Sequence, residues 1–313
     1  MSERRLPHGT IATTPVGIGC AYLTEGFTAD QDRRIIDIAF ETGARHFDVA
    51  PSYGMGTAEG VLGRALRGRR DQVTIATKVG QPRNEANRGK LLLRAIMAPT
   101  RGLRRNAGTP ASSPQRQLDF SPAFVAGMLE DSLRRLCTDY VDAYLLHEVT
   151  PELVTPELLT LLADRKAAGQ VRAIGLATSR AHADAIVSAW PGVFDIVQHS
   201  WNAFDPPLPP SPLFRITHRA IMGAMHRMTA WFRADPAVAR RLADTTGCEV
   251  FDPRVLSALL LGAAMSANQG GITLVASRSV LRTKANVAAG LDPRNIEAGR
   301  RLVEAVVAEA AAR

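Results

Sequence analysis

The chain has 313 residues, 46% of them hydrophobic and 22% charged, with a formal net charge of +8. That apolar share supports a sizeable core and excludes global disorder, and the length suits one α/β barrel spanning 1–313 as a single domain. No apolar run approaches the roughly 20 residues that cross a bilayer, and the charged N-terminus lacks the apolar segment of a secretory signal. Three scattered cysteines (Cys20, Cys137, Cys248) have no metal-ligand spacing, so the expectation is a cytoplasmic protein with reduced thiols and no metal.

In chain order, a candidate N-terminal hairpin precedes a strand at residues 16–20. A helix at 30–42 carries Ile35, Ile36, Ile38 and Ala39 at helical spacing and closes at Gly43. A strand at 45–48, a helix at 57–66 and a strand at 73–78 follow. Residues 81–120 break the rhythm with Pro, Arg, Gly, Asn and Ser, leaving one short helix candidate at 91–97. Forty residues without periodicity are too long for a core connection and read as an inserted surface loop after the third strand. Order returns with Ser121-Pro122 as a helix start, a helix at 123–137, strand 141–146, helix 156–169, strand 171–177, helix 181–190 and strand 193–198. A proline-rich loop at 205–212 leads to a seventh strand at 215–222. Helices at 237–247 and 254–265, an eighth strand at 272–276, a helix at 280–289 and a C-terminal helix at 295–312 complete the chain.

Strand-helix alternation implies a parallel sheet, and about eight repeats imply closure: a (β/α)8 TIM barrel with extra C-terminal helices. An open doubly wound sheet is disfavoured because no Gly-x-Gly-x-x-Gly follows an early strand. The positive charge is local. Residues 83–116 hold eight basic residues against the single acid Glu85, which accounts for seven of the eight net charges. Such a loop reads as a solvated surface segment. Recognition of an anionic substrate or a polyanion are the alternatives, and nucleic acid is disfavoured because aromatics for base stacking are missing.

Four side chains carry the chemistry. Asp48 ends the second strand, Lys78 the third and His147 the fourth, and Tyr53 lies in the loop after the second; all belong to the C-terminal mouth, where such barrels keep their active sites. Singly, each reads as a solvated or packed side chain; jointly they read as a site. A free phenol titrates near 10, so tyrosine alone is a sluggish acid at neutral pH. A lysine cation within about 4–6 Å is expected to lower the tyrosine pKa and make Tyr53 a proton donor to a carbonyl oxygen. Asp48 would hold Lys78 charged, and His147 would position the carbonyl. A site that handles protons without an electron source implies a hydride-carrying cofactor.

These residues resemble a known family. Asp48-Val-Ala-Pro-Ser-Tyr53-Gly54, continuing into Ala58-Glu59-Gly60-Val61-Leu62-Gly63, is similar to the motif and following helix of the aldo-keto reductases. Thr77-Lys78-Val79 resembles their lysine strand, 139–147 their histidine strand and 171–175 the strand after it. The resemblance implies nicotinamide contacts from Thr178, Gln198 and Trp201. It also implies a ribose-phosphate site at Arg278, Ser279, Arg282 and Asn286. On physical grounds too, two arginines beside a helix start suit a phosphate, so NADP is expected over NAD. The chain departs from the family pattern at Ala177-Thr178, which replaces Ser-Asn, and at Trp201, which replaces a tyrosine. It also lacks an aromatic in 217–225. The expected activity is NADPH-dependent reduction of an aldehyde or ketone. The alternatives are NAD(P)+-dependent oxidation of a sugar or secondary alcohol by the same site, or a low-turnover regulatory subunit that binds the cofactor. The expected partner is a small molecule rather than a membrane; oligomeric state is left open.

Overall fold

The computed structural model describes residues 4–25, 29–83 and 118–311. A two-stranded hairpin, β1 (Arg4–Arg5) and β2 (Ala12–Thr13), precedes a closed barrel of eight parallel strands. The barrel strands are β3 (Val16–Gly19), β4 (His46–Asp48), β5 (Thr74–Val79), β6 (Val141–His147), β7 (Val171–Ala177), β8 (Ile196–Ser200), β9 (Phe214–His218) and β10 (Ile272–Val275). They pair in chain order, and β10 closes on β3 with Leu274 opposite Gly17. Around them lie α1 (Ala29–Glu41), α2 (Ala58–Ala65), α3 (Pro122–Leu136), α4 (Pro156–Ala167) and α5 (Arg180–Ala189). The C-terminal half adds α6 (Met222–Ala234), α7 (Pro236–Thr246), α8 (Pro253–Ala267), α9 (Val280–Leu291) and α10 (Pro293–Ala311).

The expected strands and helices therefore recur within a few residues, with two corrections. The seventh strand stops at His218, because Arg219 turns into the left-handed region at φ 63°. The apolar residues after it open α6, a helix the sequence reading left unassigned, which buries Ala224, Met228 and Phe232 on a single stripe. Between β8 and β9 residues 201–213 form no helix, whereas every other crossover carries at least one. The helix candidate at 91–97 and most of the basic loop lie outside the described residues. Arg83, counted with that loop, is enclosed: its guanidinium reaches Glu59 at 3.1 Å and Asp131 at 2.8 Å, so its charge is neutralised internally.

Three cores result. Inside the barrel, small and branched residues such as Ala76, Ala143, Ala173, Ile196 and Ile216 alternate, and Leu6 of the hairpin plugs the N-terminal end. A second core lies between the outer strand faces and α1–α5. The third packs Trp201 with α6, α7, α8 and α10. Helix α2 can approach α3 closely because position 63 is glycine; a Cβ there would sit 2.6 Å from the Leu136 backbone. No helix among the described residues is long and apolar enough to cross a membrane.

Asp142 is the fully buried anchor of the lower barrel. Its carboxylate accepts from Arg70 at 2.8 Å, Arg172 at 2.9 Å and the Ile75 amide at 2.9 Å, while both guanidinium groups stack on Tyr140. Replacing Asp142 with Ala leaves two half-buried cations and an amide without their acceptor. Urea unfolding should show a loss of about 3 kcal/mol or more.

Candidate active site

The C-terminal strand ends bring the four expected side chains together. Lys78 and Asp48 form an ion pair at 2.5 Å with side chains only 2% and 4% exposed, so neither charge is compensated by water. Lys78 Nζ also donates to the Val49 carbonyl at 3.3 Å. The second carboxylate oxygen of Asp48 accepts from the Gln198 carboxamide at 2.7 Å. The Lys78 ammonium lies 5.0 Å from the centre of the Tyr53 ring, and the Tyr53 and His147 rings meet edge to face at 6.1 Å and 85°.

The electrostatics correct one expectation. Lys78 does pull the Tyr53 phenol towards ionisation, but burial outweighs it and Asp48 opposes it, so Tyr53 titrates above the ordinary 10. For Lys78, burial disfavours the cation, yet the adjoining Asp48 carboxylate and the Tyr53 phenol prevail and raise its pKa. Without a ligand the group therefore holds a charged lysine beside a protonated phenol.

Local backbone geometry aims Tyr53. The turn Tyr53–Gly56 runs through three left-handed residues, Gly54 at φ 54°, Met55 at φ 57° and Gly56 at φ 85°. The Tyr53 amide donates to Ala50 O, the Gly54 amide to Ala21 O, and the Thr57 hydroxyl to Gly54 O at 2.7 Å. A chain of side chains ties three mouth loops together: Ser52 donates to Gln81 at 3.3 Å, and Gln81 donates to Glu148 at 2.7 Å. Beneath the turn, buried Glu59 accepts from Thr77 at 2.7 Å and from Arg83, which also reaches the Gly56 carbonyl.

The other candidates divide. Thr178 sits beside the mouth with its hydroxyl donating to Val149 O at 2.8 Å. Trp201 follows β8, and its amide donates to the His218 carbonyl at 3.0 Å; its side chain is 1% exposed, packs in the third core and donates its indole N–H to Pro206 O at 3.0 Å. Arg278, Ser279 and Arg282 lie at the start of α9, and Asn286 lies further along the same helix. Ser279 caps that helix, Arg282 reaches the Ser277 hydroxyl at 3.4 Å, and Arg278 lies over the Tyr22 ring at 5.0 Å.

Two mouth residues escaped the sequence reading. Cys20, after the first barrel strand, donates its amide to Asp48 O at 2.8 Å; its thiol is fully enclosed and pushed far above the usual range by burial. His218 ends β9 on the inward-facing register of Ile216, and burial lowers it to about 4, so it presents a neutral ring near Asp48 and Lys78. The strand-end position of His218 was the available signal, obscured by extending that strand to 222.

A profile of the aldo/keto reductase family matches residues 15–223, two thirds of the sequence, and the chain belongs to this family. It is 30% identical over 215 residues to an NADH-specific methylglyoxal reductase of Escherichia coli, covering 64% of this chain and 60% of that protein. It is 28% identical over 180 residues to an uncharacterised oxidoreductase of Bacillus subtilis, covering 58% and 50%. The chain thus spans between half and three fifths of the length of these relatives. Among solved structures, the fold matches a glycerol dehydrogenase from Gluconobacter oxydans at a TM-score of 0.71 and 20% identity, covering 98% and 95%. It also matches an aldo-keto reductase from Klebsiella pneumoniae in complex with NADPH at 0.65 and 19% identity, covering 96% and 95%.

A Cβ at Gly54 would fall 1.7 Å from the Leu23 carbonyl oxygen, whereas Gly68, also left-handed at φ 76°, faces open space. Gly68→Ala should cost only the backbone term of about 1 kcal/mol. Gly54→Ala should lower Tm clearly further, because the Tyr53 turn must move; thermal unfolding of the two variants in parallel checks this.

Proposed function

We propose that the chain is an NADPH-dependent reductase of an aldehyde or ketone. The observation that carries this reading is the enclosed Asp48–Lys78 pair set against the Tyr53 phenol, with His147 beside it. The residues fit a dinucleotide. Arg278 and Arg282 are exposed and have no carboxylate partner among the described residues. They stand at the start of α9, where Ser279 caps the helix and the buried Thr283 hydroxyl lacks a hydrogen-bond partner. Guanidinium groups beside a helix N-terminus suit a ribose phosphate. Gln198 spends its amide N–H on Asp48 and keeps its carbonyl oxygen for a carboxamide.

A reduced nicotinamide, when bound there, would supply a hydride for the carbonyl carbon. Tyr53 donates its phenolic proton to the carbonyl oxygen as that oxygen gains charge. Lys78, held charged by Asp48, stabilises the phenolate that Tyr53 becomes, so the proton leaves at a lower cost than its resting pKa implies. His147 hydrogen-bonds the same oxygen and sets the approach of the carbonyl. Enclosure of the pair keeps water from screening these charges. In the reverse direction Tyr53 acts as a base and an alcohol is oxidised.

Tyr53→Phe should abolish most turnover, by about 100-fold or more, while NADPH binding followed by fluorescence stays near the wild-type value. Survival of steady-state rates would identify a different acid. The pH dependence has a definite sign. A donor that titrates above 10 stays protonated across the neutral range, so reduction should not fall between about pH 6 and 9. Oxidation needs the phenolate and should climb over the same interval. Initial rates in both directions across that range check the pair of slopes.

The cofactor preference rests on the arginines, and the NADH-specific relative makes it worth testing directly. Replacing both Arg278 and Arg282 with Ala should raise the Kd for NADPH at least tenfold while changing that for NADH little. Equal losses for the two cofactors would mean that these side chains do not read the phosphate.

A further inference from the structure

The helix-free crossover leaves the outer faces of β8 and β9 covered differently from the rest of the barrel. Along β8, Ile196 and Gln198 point inward, so Val197 and His199 point out; on β9, Arg215 points out opposite Val197. Over these residues, between α5 and the proline-rich loop, lies a cavity of about 300 Å3, at the small end for a ligand pocket. Its walls include Arg180, Asp184, His199, Leu208, Leu213 and Arg215.

The polar groups of this cavity are only partly engaged. His199 is 96% buried, being 4% exposed, and its Nδ1 meets the Ser200 carbonyl at 3.1 Å. A carbonyl partner requires the proton on Nδ1, so Nε2 presents a lone pair, and among the described residues it has no donor. Burial lowers the His199 pKa and Arg215 and Arg180 add to the effect, against the Ser200 carbonyl contact and Asp184, which raise it. Arg215 donates through Nη2 to Pro209 O at 2.6 Å, and its Nε is enclosed without an acceptor. Arg180, Arg215 and Asp184 make no ion pair among the described residues, so two cations face the cavity with one carboxylate and no contact neutralising them. Leucines and prolines supply an apolar flank, and fixed proline backbones hold the wall in place without further ordering.

We propose that this cavity is a second binding site, outside the barrel wall, for a small organic oxyanion that carries an O–H donor and a short apolar stem. The anion lies between Arg180 and Arg215, its hydroxyl donates to His199 Nε2, and the stem packs on Leu208 and Leu213. A phosphate monoester in its singly protonated form and an α-hydroxy carboxylate share this chemistry.

Isothermal titration at fixed ionic strength, with phenyl phosphate and mandelate as probes and benzyl alcohol as the neutral control, tests the site. The protein is the full chain carrying Arg278→Ala and Arg282→Ala, so that the α9 phosphate site cannot account for the heat. Saturable binding of at least one anionic probe is expected, with the tighter of the two identifying the headgroup. Adding Arg180→Ala, an exposed position, should weaken binding about tenfold with Tm unchanged, and His199→Leu should weaken it comparably. Saturating NADPH should not displace the probe. The proposal is overturned by no saturable binding of either anion, by equal affinity after Arg180→Ala, by equal affinity for benzyl alcohol, or by displacement with NADPH.

Discussion

The arrangement at the mouth depends on one enclosed ion pair. Lys78 and Asp48 belong to adjacent strands, and the Gln198 bond extends the link across the barrel to β8. Removing two charges from water is costly, and a buried pair seldom repays that cost as stability. The pair is enclosed between strands that also bury Gln198, Thr217 and Thr273, so stability alone does not account for it. A pair this enclosed also has few alternative arrangements. Removing Asp48 would leave the Lys78 ammonium in the barrel with burial opposing its charge and without the carboxylate that favours it.

Around the pair, the rest of the mouth is built to keep a phenol still. The consecutive left-handed residues after Tyr53 are a strained backbone that surrounding contacts must hold in place. Thr57, Ala21 and Leu23 hold it from one side, and Glu59 with Arg83 from beneath. Burial lifts the Tyr53 pKa while Lys78 lowers it, and the balance leaves the proton on the phenol oxygen. The same fold holds Asp142 with two guanidinium groups at the opposite end, so the barrel is pinned by charge at both faces.

Much of this was legible in the chain. Strands β3 to β7 are short apolar runs ended by a polar residue or a turn, and their α-helices begin and end at recognisable caps such as Ser121-Pro122. Asp48 and His147 were legible because each ends an apolar run and Lys78 lies one residue from the end of another, whereas Tyr53 was marked by the turn it opens. Legibility failed where pattern and tertiary packing part. The residues Ala220, Ile221 and Met222 look like a continuation of β9, but Arg219 turns the chain and their apolar character serves a helix. Trp201 follows a mouth strand, and its side chain also fills the core under α6, which no spacing in the chain announces. Arg83 has the sequence surroundings of a surface charge, and only the placement of Glu59 and Asp131 shows it to be internal. For Tyr53, the presence of a lysine was readable, whereas the depth of burial that overrides it was not.

The separation of the cores has an optical consequence. Of the three tryptophans, Trp201 and Trp231 sit in or against the C-terminal helical core, while Trp190 packs against the core beside α1–α5. Intrinsic fluorescence of this protein therefore weights the C-terminal helices two to one over the rest. During denaturation it will report that layer chiefly, and circular dichroism will report the whole. If the outer helical layer loosens before the barrel, the two signals will part.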